Sequence, residues 1–229
     1  MSAPTSSAAG EVLELHSGDR MSRQEFHRAY ETMPEDFKAE LIGGIVYVAS
    51  PLKRQHGTRH VLLGTLFGLY EARTLGVEAG DNTTVLLGEE SEPQPDLYLR
   101  VREECGGQSR ISADDYIEGA PELFVEIALS SRAIDLHAKR QDYARYGGLE
   151  YVVACLREQQ LRWFDLRAGQ ELPLDADGVC RVRTFPGLWI DSGALFADDY
   201  GRALATLEQG LATPEHAAFV DRLAAARKG

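Results

Sequence analysis

The chain has 229 residues, a formal net charge of -12, 44% hydrophobic residues and 26% charged residues. That length supports one sizeable core, and the balance is that of a globular chain without an uninterrupted apolar run able to span a bilayer. The acidic surplus argues against an extended electrostatic footprint on nucleic acid, because nonspecific affinity rests on Lys and Arg neutralising phosphates.

Residues 1–10 are small and polar, with neither a basic n-region nor an apolar h-region, so they read as a disordered tail and not as a secretion signal. The tail is expected through residue 20, a main domain over 21–200, and a helical extension over 201–229. Ser22-Arg23-Gln24-Glu25 is a capping box that opens a short helix to about Thr32, stopped near Pro34. The period then changes: residues 40–48 read as two strands joined by Gly43-Gly44, since primed hairpin turns need positive φ. From His56 to about Arg73 the apolar positions Val61, Leu62, Leu63, Leu66, Phe67, Leu69 and Tyr70 are dense enough for a largely buried helix.

Residues 77–87, 95–101 and 123–129 read as strands, the last two separated by a loop around Gly106-Gly107. Residues 131–146 are helical in pattern and end at Gly147-Gly148. Residues 151–155 and 161–166 form a strand pair, 179–185 a further strand, and Thr213-Pro214 starts a last alanine-rich helix. Cys105, Cys155 and Cys180 are widely separated and lack CxxC or Cys/His spacing, which indicates a reducing, cytoplasmic setting and neither a disulfide framework nor a zinc knuckle.

The chemistry gathers between Pro95 and Tyr146. Gln94-Pro95-Asp96-Leu97 is followed thirty residues past the aspartate by Phe124-Val125-Glu126-Ile127-Ala128, then by Asp135 and Lys139. A carboxylate in an apolar strand is expensive unless paired or bound to a cation, and strand alternation sets Glu126 on the face of Phe124 and Ala128. Asp96 and Glu126 together are thus candidates for holding a hard divalent cation, the equipment of a metal-dependent phosphodiesterase. Lys139 has two readings: an ordinary i,i+4 helix pair with Asp135, or an ammonium that faces the metal site to position water or hold a phosphate oxygen. His56 and His60 have the i,i+4 spacing of two metal ligands, but His-Gly-Thr-Arg-His lacks the glutamate of a zinc-protease motif. His56 therefore reads as a capping or substrate-side residue.

These residues resemble the Uma-type restriction endonuclease family of the PD-(D/E)XK nuclease superfamily. The likeness runs from about Met21 to Asp191 through Ala39-Glu40-Leu41-Ile42-Gly43-Gly44, His56, Ser91-Glu92-Pro93-Gln94-Pro95-Asp96, Val125-Glu126-Ile127 with Ser130-Ser131, and Asp135, Lys139, Tyr143 and Tyr146. The resemblance implies an α/β restriction-endonuclease-like core, a mixed central sheet flanked by helices. It implies Mg2+ or Mn2+ on Asp96 and Glu126 with Ile127 among the ligands, Glu40 joining from the hairpin, and Gln94 near the metal. The superfamily motif has its lysine two residues after the second acid, where this chain has Ala128; the resemblance suggests a migrated lysine, Lys139.

The expected function is a Mg2+-dependent endonuclease acting on DNA, with His56, Gln94, Arg132 and Arg140 toward the substrate. Arg132, His137, Lys139, Arg140 and Arg145 are the local basic cluster that could contact phosphates. A homodimer is expected, to address two strands. The competing reading is a nuclease-fold protein that has lost cleavage and serves as a nucleic-acid-binding or assembly module.

Overall fold

The computed structural model describes residues 14–227. Helix α1 (Arg23–Tyr30) opens on the expected capping box: the Glu25 N–H donates to the Ser22 hydroxyl while the Ser22 N–H donates to the Glu25 carboxylate. The hairpin forms as β1 (Ala39–Ile42) and β2 (Ile45–Val48), with Gly43 and Gly44 at φ 57° and 75°, two successive left-handed residues that glycine adopts without strain. Helix α2 (Arg54–Arg73) buries Leu62, Leu63, Leu66, Phe67 and Tyr70.

The run read as one strand over 77–87 is two. β3 (Val77–Gly80) joins the main sheet and β4 (Val85–Leu86) a small one, with the break marked by Asn82 at φ 47°, a conformation that Asn tolerates in turns. β5 (Leu97–Val101) returns to the main sheet, whereas β6 (Arg110–Ile111) and β7 (Ile117–Glu118) join β4. β8 (Leu123–Ala128) is followed by a crossover made of a π-helical turn over Ile134–Lys139 and α3 (Arg140–Arg145). Then come β9 (Glu150–Cys155), β10 (Gln160–Asp165) and β11 (Gln170–Leu172), and a ribbon of β12 (Val179–Arg181) with β13 (Trp189–Asp191). Helices α4 (Ser192–Ala197), α5 (Tyr200–Leu211) and α6 (Pro214–Arg227) end the described chain.

The main sheet runs β11-β10-β9-β8-β5-β3, with β8 and β9 parallel and the other neighbours antiparallel. It is the mixed central sheet flanked by helices that was expected. A parallel pair cannot be closed by a tight turn, so the chain from β8 must cross one sheet face to reach β9, and the π turn with α3 is that crossover. One face packs Leu97, Leu99, Val125, Ile127, Val152 and Ala154 against α2 and the C-terminal elements; the other packs Tyr98, Phe124, Ala128, Tyr151 and Val153 against Leu136 and Tyr143 of the crossover.

Part of the segment expected as a tail through residue 20 is folded. Leu15 is buried, the Gly18 N–H donates to the Val46 carbonyl at 2.8 Å and Arg20 bridges to Ile45, so residues 14–20 belong to the folded body, while 1–13 lie outside the described residues. The segment read as a C-terminal extension is built into the core, where Ala203, Leu207, Phe219 and Leu223 share the cluster of α2. The three cysteines are buried and free, and among the described residues no helix is long and apolar enough to cross a membrane.

Candidate metal and catalytic site

Alternation along β8 sends Glu126 to the face that also carries Phe124 and Ala128, beneath the crossover, and leaves it 4% exposed. Asp96 immediately precedes β5. The antiparallel register Leu97↔Val125, carried one residue further, sets Asp96 across from Glu126. Asp96 Oδ2 accepts from the Ile127 N–H at 2.7 Å, and His56 Nε2 lies 3.1 Å from Oδ1 and 3.2 Å from Oδ2. Ile127, expected among the metal ligands, buries its side chain in the opposite core, which leaves its main-chain carbonyl as the group that could reach an ion, and its N–H orients Asp96.

The crossover supplies the cation. Lys139 Nζ is 2.9 Å from Glu126 Oε1 and 2.8 Å from Glu40 Oε1, with the lysine 4% exposed. Of the two readings of this residue, the helix pair is not the one formed: Asp135 accepts from the Ser131 hydroxyl at 2.5 Å, and no ion pair joins Asp135 to Lys139 among the described residues. The turn that carries both is π-helical, a form concentrated at functional sites. Tyr143, one turn on, donates its hydroxyl to Glu126 Oε1 at 2.9 Å, with its ring stacked on Phe124 at 3.9 Å between centroids. Both recorded donors thus reach the same glutamate oxygen, which leaves Oε2 for a cation. Glu40 arrives from β1 and also accepts the Gln94 N–H at 2.7 Å. The Gln94 side chain instead donates to Tyr30 and Thr84, so Gln94 acts by placing Glu40.

Charge in this pocket is unbalanced toward the acids. Burial drives the Glu126 carboxyl well above its usual range; Lys139 pulls it down, and Asp96, Asp135 and Glu40 push it further up. Burial alone would discharge Lys139, but Glu126, Glu40 and Asp135 hold its ammonium well above the ordinary lysine range. Burial likewise works against the Asp96 carboxylate, yet the hydrogen bond and charge of His56, the Ile127 N–H and Lys139 outweigh it and keep the pKa low. Asp135 is pushed up to about 6, chiefly by burial, and its Oδ1 is buried without a partner. Four carboxylates lie in the field of one ammonium, which pairs directly with Glu126 and Glu40 alone, and with the orphaned Asp135 oxygen they leave an excess of buried acid of the kind a hard divalent cation offsets. Burial and the charge of Glu126 raise the Tyr143 phenol well above its usual value, which keeps it a donor.

The rest of the expected substrate side disperses. Arg132 pairs with Glu158 at 2.8 Å, Arg140 lies over the Phe164 ring at 4.9 Å, and Arg145 pairs with Glu90 at 2.7 Å, while His137 is exposed. Of that basic cluster only Lys139 enters the site, because residues 132 to 145 leave the crossover in different directions. His56 is the third residue of α2 and not its cap, a position held by Lys53. It stands beside His60, and one ligand atom from each falls within 4.8 Å of the other and of an Asp96 oxygen. Tyr143 as a donor to Glu126, and His60, were not assigned from the sequence; the i,i+4 spacings Lys139/Tyr143 and His56/His60 were the available signals.

A mixed sheet with a parallel pair bridged by a helical crossover, an acid entering one central strand, an acid within the next and a lysine from the crossover defines a restriction-endonuclease-like α/β domain. The sequence model of the Uma2 family, described as "Putative restriction endonuclease", matches residues 23–193. The chain belongs to that family. In fold it is similar to a solved structure described as a "putative nuclease belonging to DUF820" from Anabaena variabilis, at 15% identity and a TM-score of 0.58, over 74% of this chain and 96% of that one. No curated protein matches the chain.

Proposed function

We propose that this protein is a divalent-metal-dependent endonuclease that hydrolyses DNA phosphodiester bonds, acting as a homodimer. Asp96 and Glu126 are the residues that would hold Mg2+ or Mn2+, with Glu40 completing the acidic wall. Bound there, the cation supplies Lewis-acid charge at the phosphoryl group and lowers the pKa of a water. Lys139 keeps its proton, orients the attacking water and offsets charge on the phosphate. Tyr143 and Lys139 fix one oxygen of Glu126, and His56 with the Ile127 N–H fixes Asp96, so the two carboxylates are held before substrate arrives.

The observation that carries this reading is the Lys139 ammonium 2.9 Å from Glu126, delivered by the crossover to the sheet face where Ala128 offers no lysine. It supports retained chemistry over the inactive module, since the charge absent at position 128 is present in space. The test is nicking of supercoiled and linear DNA with Mg2+ or Mn2+. Cleavage abolished by Asp96→Ala and by Glu126→Ala, each with unchanged far-UV circular dichroism, is the expected result. DNA left intact by the native chain with both metals and both topologies would refute the enzyme and leave the binding module.

A further inference from the structure

We infer that His56, His60 and Asp96 form a binding site for a first-row divalent ion of the Zn2+ class, distinct in donor chemistry from the carboxylate site around Glu126 and sharing Asp96 with it. The two histidines are four residues apart on α2, so both imidazoles leave one helix face, and their ring centroids are 5.9 Å apart. Their ligand atoms and an Asp96 oxygen lie within 4.8 Å of one another, a spacing that small side-chain rotations close onto bonds of about 2 Å.

A second observation points the same way. His56 is 5% exposed and its Nδ1 is buried without a hydrogen bond; His60 Nε2 is buried and equally unbonded. Asp81 Oδ2 lies 3.3 Å from His60 Nε2, within ion-pair range but out of hydrogen-bond alignment. An ordinary Asp-His pair accounts for His56 Nε2 against Asp96, but it leaves His56 Nδ1 and His60 Nε2 desolvated without a partner. A coordinated ion gives His60 Nε2 a partner and takes one ring nitrogen of His56, and the largely exposed Asp81 or water is at hand for a further position. Imidazole donors favour Zn2+ or Co2+, whereas Mg2+ takes oxygen. An ion held here commits Asp96, so it opposes occupancy of the carboxylate site. The inference does not require that site to be catalytic.

The probe is Co2+, titrated into the full chain after EDTA treatment and removal of any histidine tag, and read by its visible ligand-field absorption. One equivalent binds, Zn2+ displaces it, His60→Gln weakens it by at least about tenfold, and Glu126→Gln leaves it unchanged. His60→Asn repeats the test with a shorter side chain, and melting temperatures in EDTA confirm that each variant is folded. Absence of both the Co2+ band and Zn2+-induced thermal stabilisation in the native chain would overturn the site. So would a band lost in Glu126→Gln but kept in both His60 variants, an outcome that assigns the ion to the carboxylate site and leaves the proposed function standing.

Discussion

Lys139→Met removes the ammonium and keeps most of the side-chain volume. The lysine is 4% exposed and lies 2.9 Å from Glu126 and 2.8 Å from Glu40, so the variant strands a carboxylate that is itself 4% exposed. Removing one partner of a buried ion pair costs about 3–5 kcal/mol, which for a chain of this size lowers the melting temperature by roughly 6–20 °C. The loss depends on pH. Glu126 already has a folded pKa above its unfolded value of about 4.5, so it takes up a proton on folding, and stability falls as pH rises from there through the folded value. Lys139 is the group that pulls that pKa down, so in the variant the fall extends to higher pH. The lysine itself, held well above 10.5, is charged throughout this range in the native chain. Thermal unfolding by far-UV circular dichroism in EDTA should therefore show a deficit that grows as pH rises. The double variant Lys139→Met with Glu126→Gln should recover most of it, because no uncompensated charge remains at position 126. A deficit below about 2 °C at neutral to alkaline pH, or one that shrinks as pH rises, would refute the assignment of Lys139 as the buried counter-ion.

Asp135, pushed up to about 6 from 3.8, should make the chain lose up to about 3 kcal/mol as pH rises through that interval. Urea unfolding across it in EDTA checks this, with Asp135→Asn expected to flatten the slope; an unchanged slope in the variant would assign the titration elsewhere. Tyr143→Phe removes one hydrogen bond to a charged acceptor and keeps the ring stacked on Phe124, so urea unfolding should show a loss of about 1.5–3 kcal/mol with an unchanged m-value. A neutral result would mean that Lys139 alone holds Glu126.

Much of the frame was legible in the chain because it rests on local rules. Ser22 and Glu25 specify a helix start through their own backbone, and Gly43-Gly44 specifies a hairpin through the φ values that other residues resist. Alternation placed Glu126 with Phe124 and Ala128 before any fold was known. The short strands β6, β7, β11 and β13 and the six-residue helix α4 are too brief to carry a periodic pattern that stands out, and the 77–87 run concealed a turn at Asn82 between two strands that serve different sheets.

The sequence by itself determined which groups are acidic, basic and turn-forming, and which of them share a strand face or a helix face. Only the tertiary structure decided what those faces meet. Lys139 finds Glu126 instead of Asp135 because the parallel β8–β9 pairing forces the crossover over that side of the sheet. Arg132 and Arg140, neighbours of Lys139 in the chain, end on Glu158 and Phe164. Asp96 faces Glu126 because two strands thirty residues apart pair in one register, and Glu40 and His56 join them from a hairpin and a helix that contact the sheet only when folded. Periodicity is a property of a few consecutive residues, whereas a buried charge is matched by whatever long-range packing brings within about 3 Å of it.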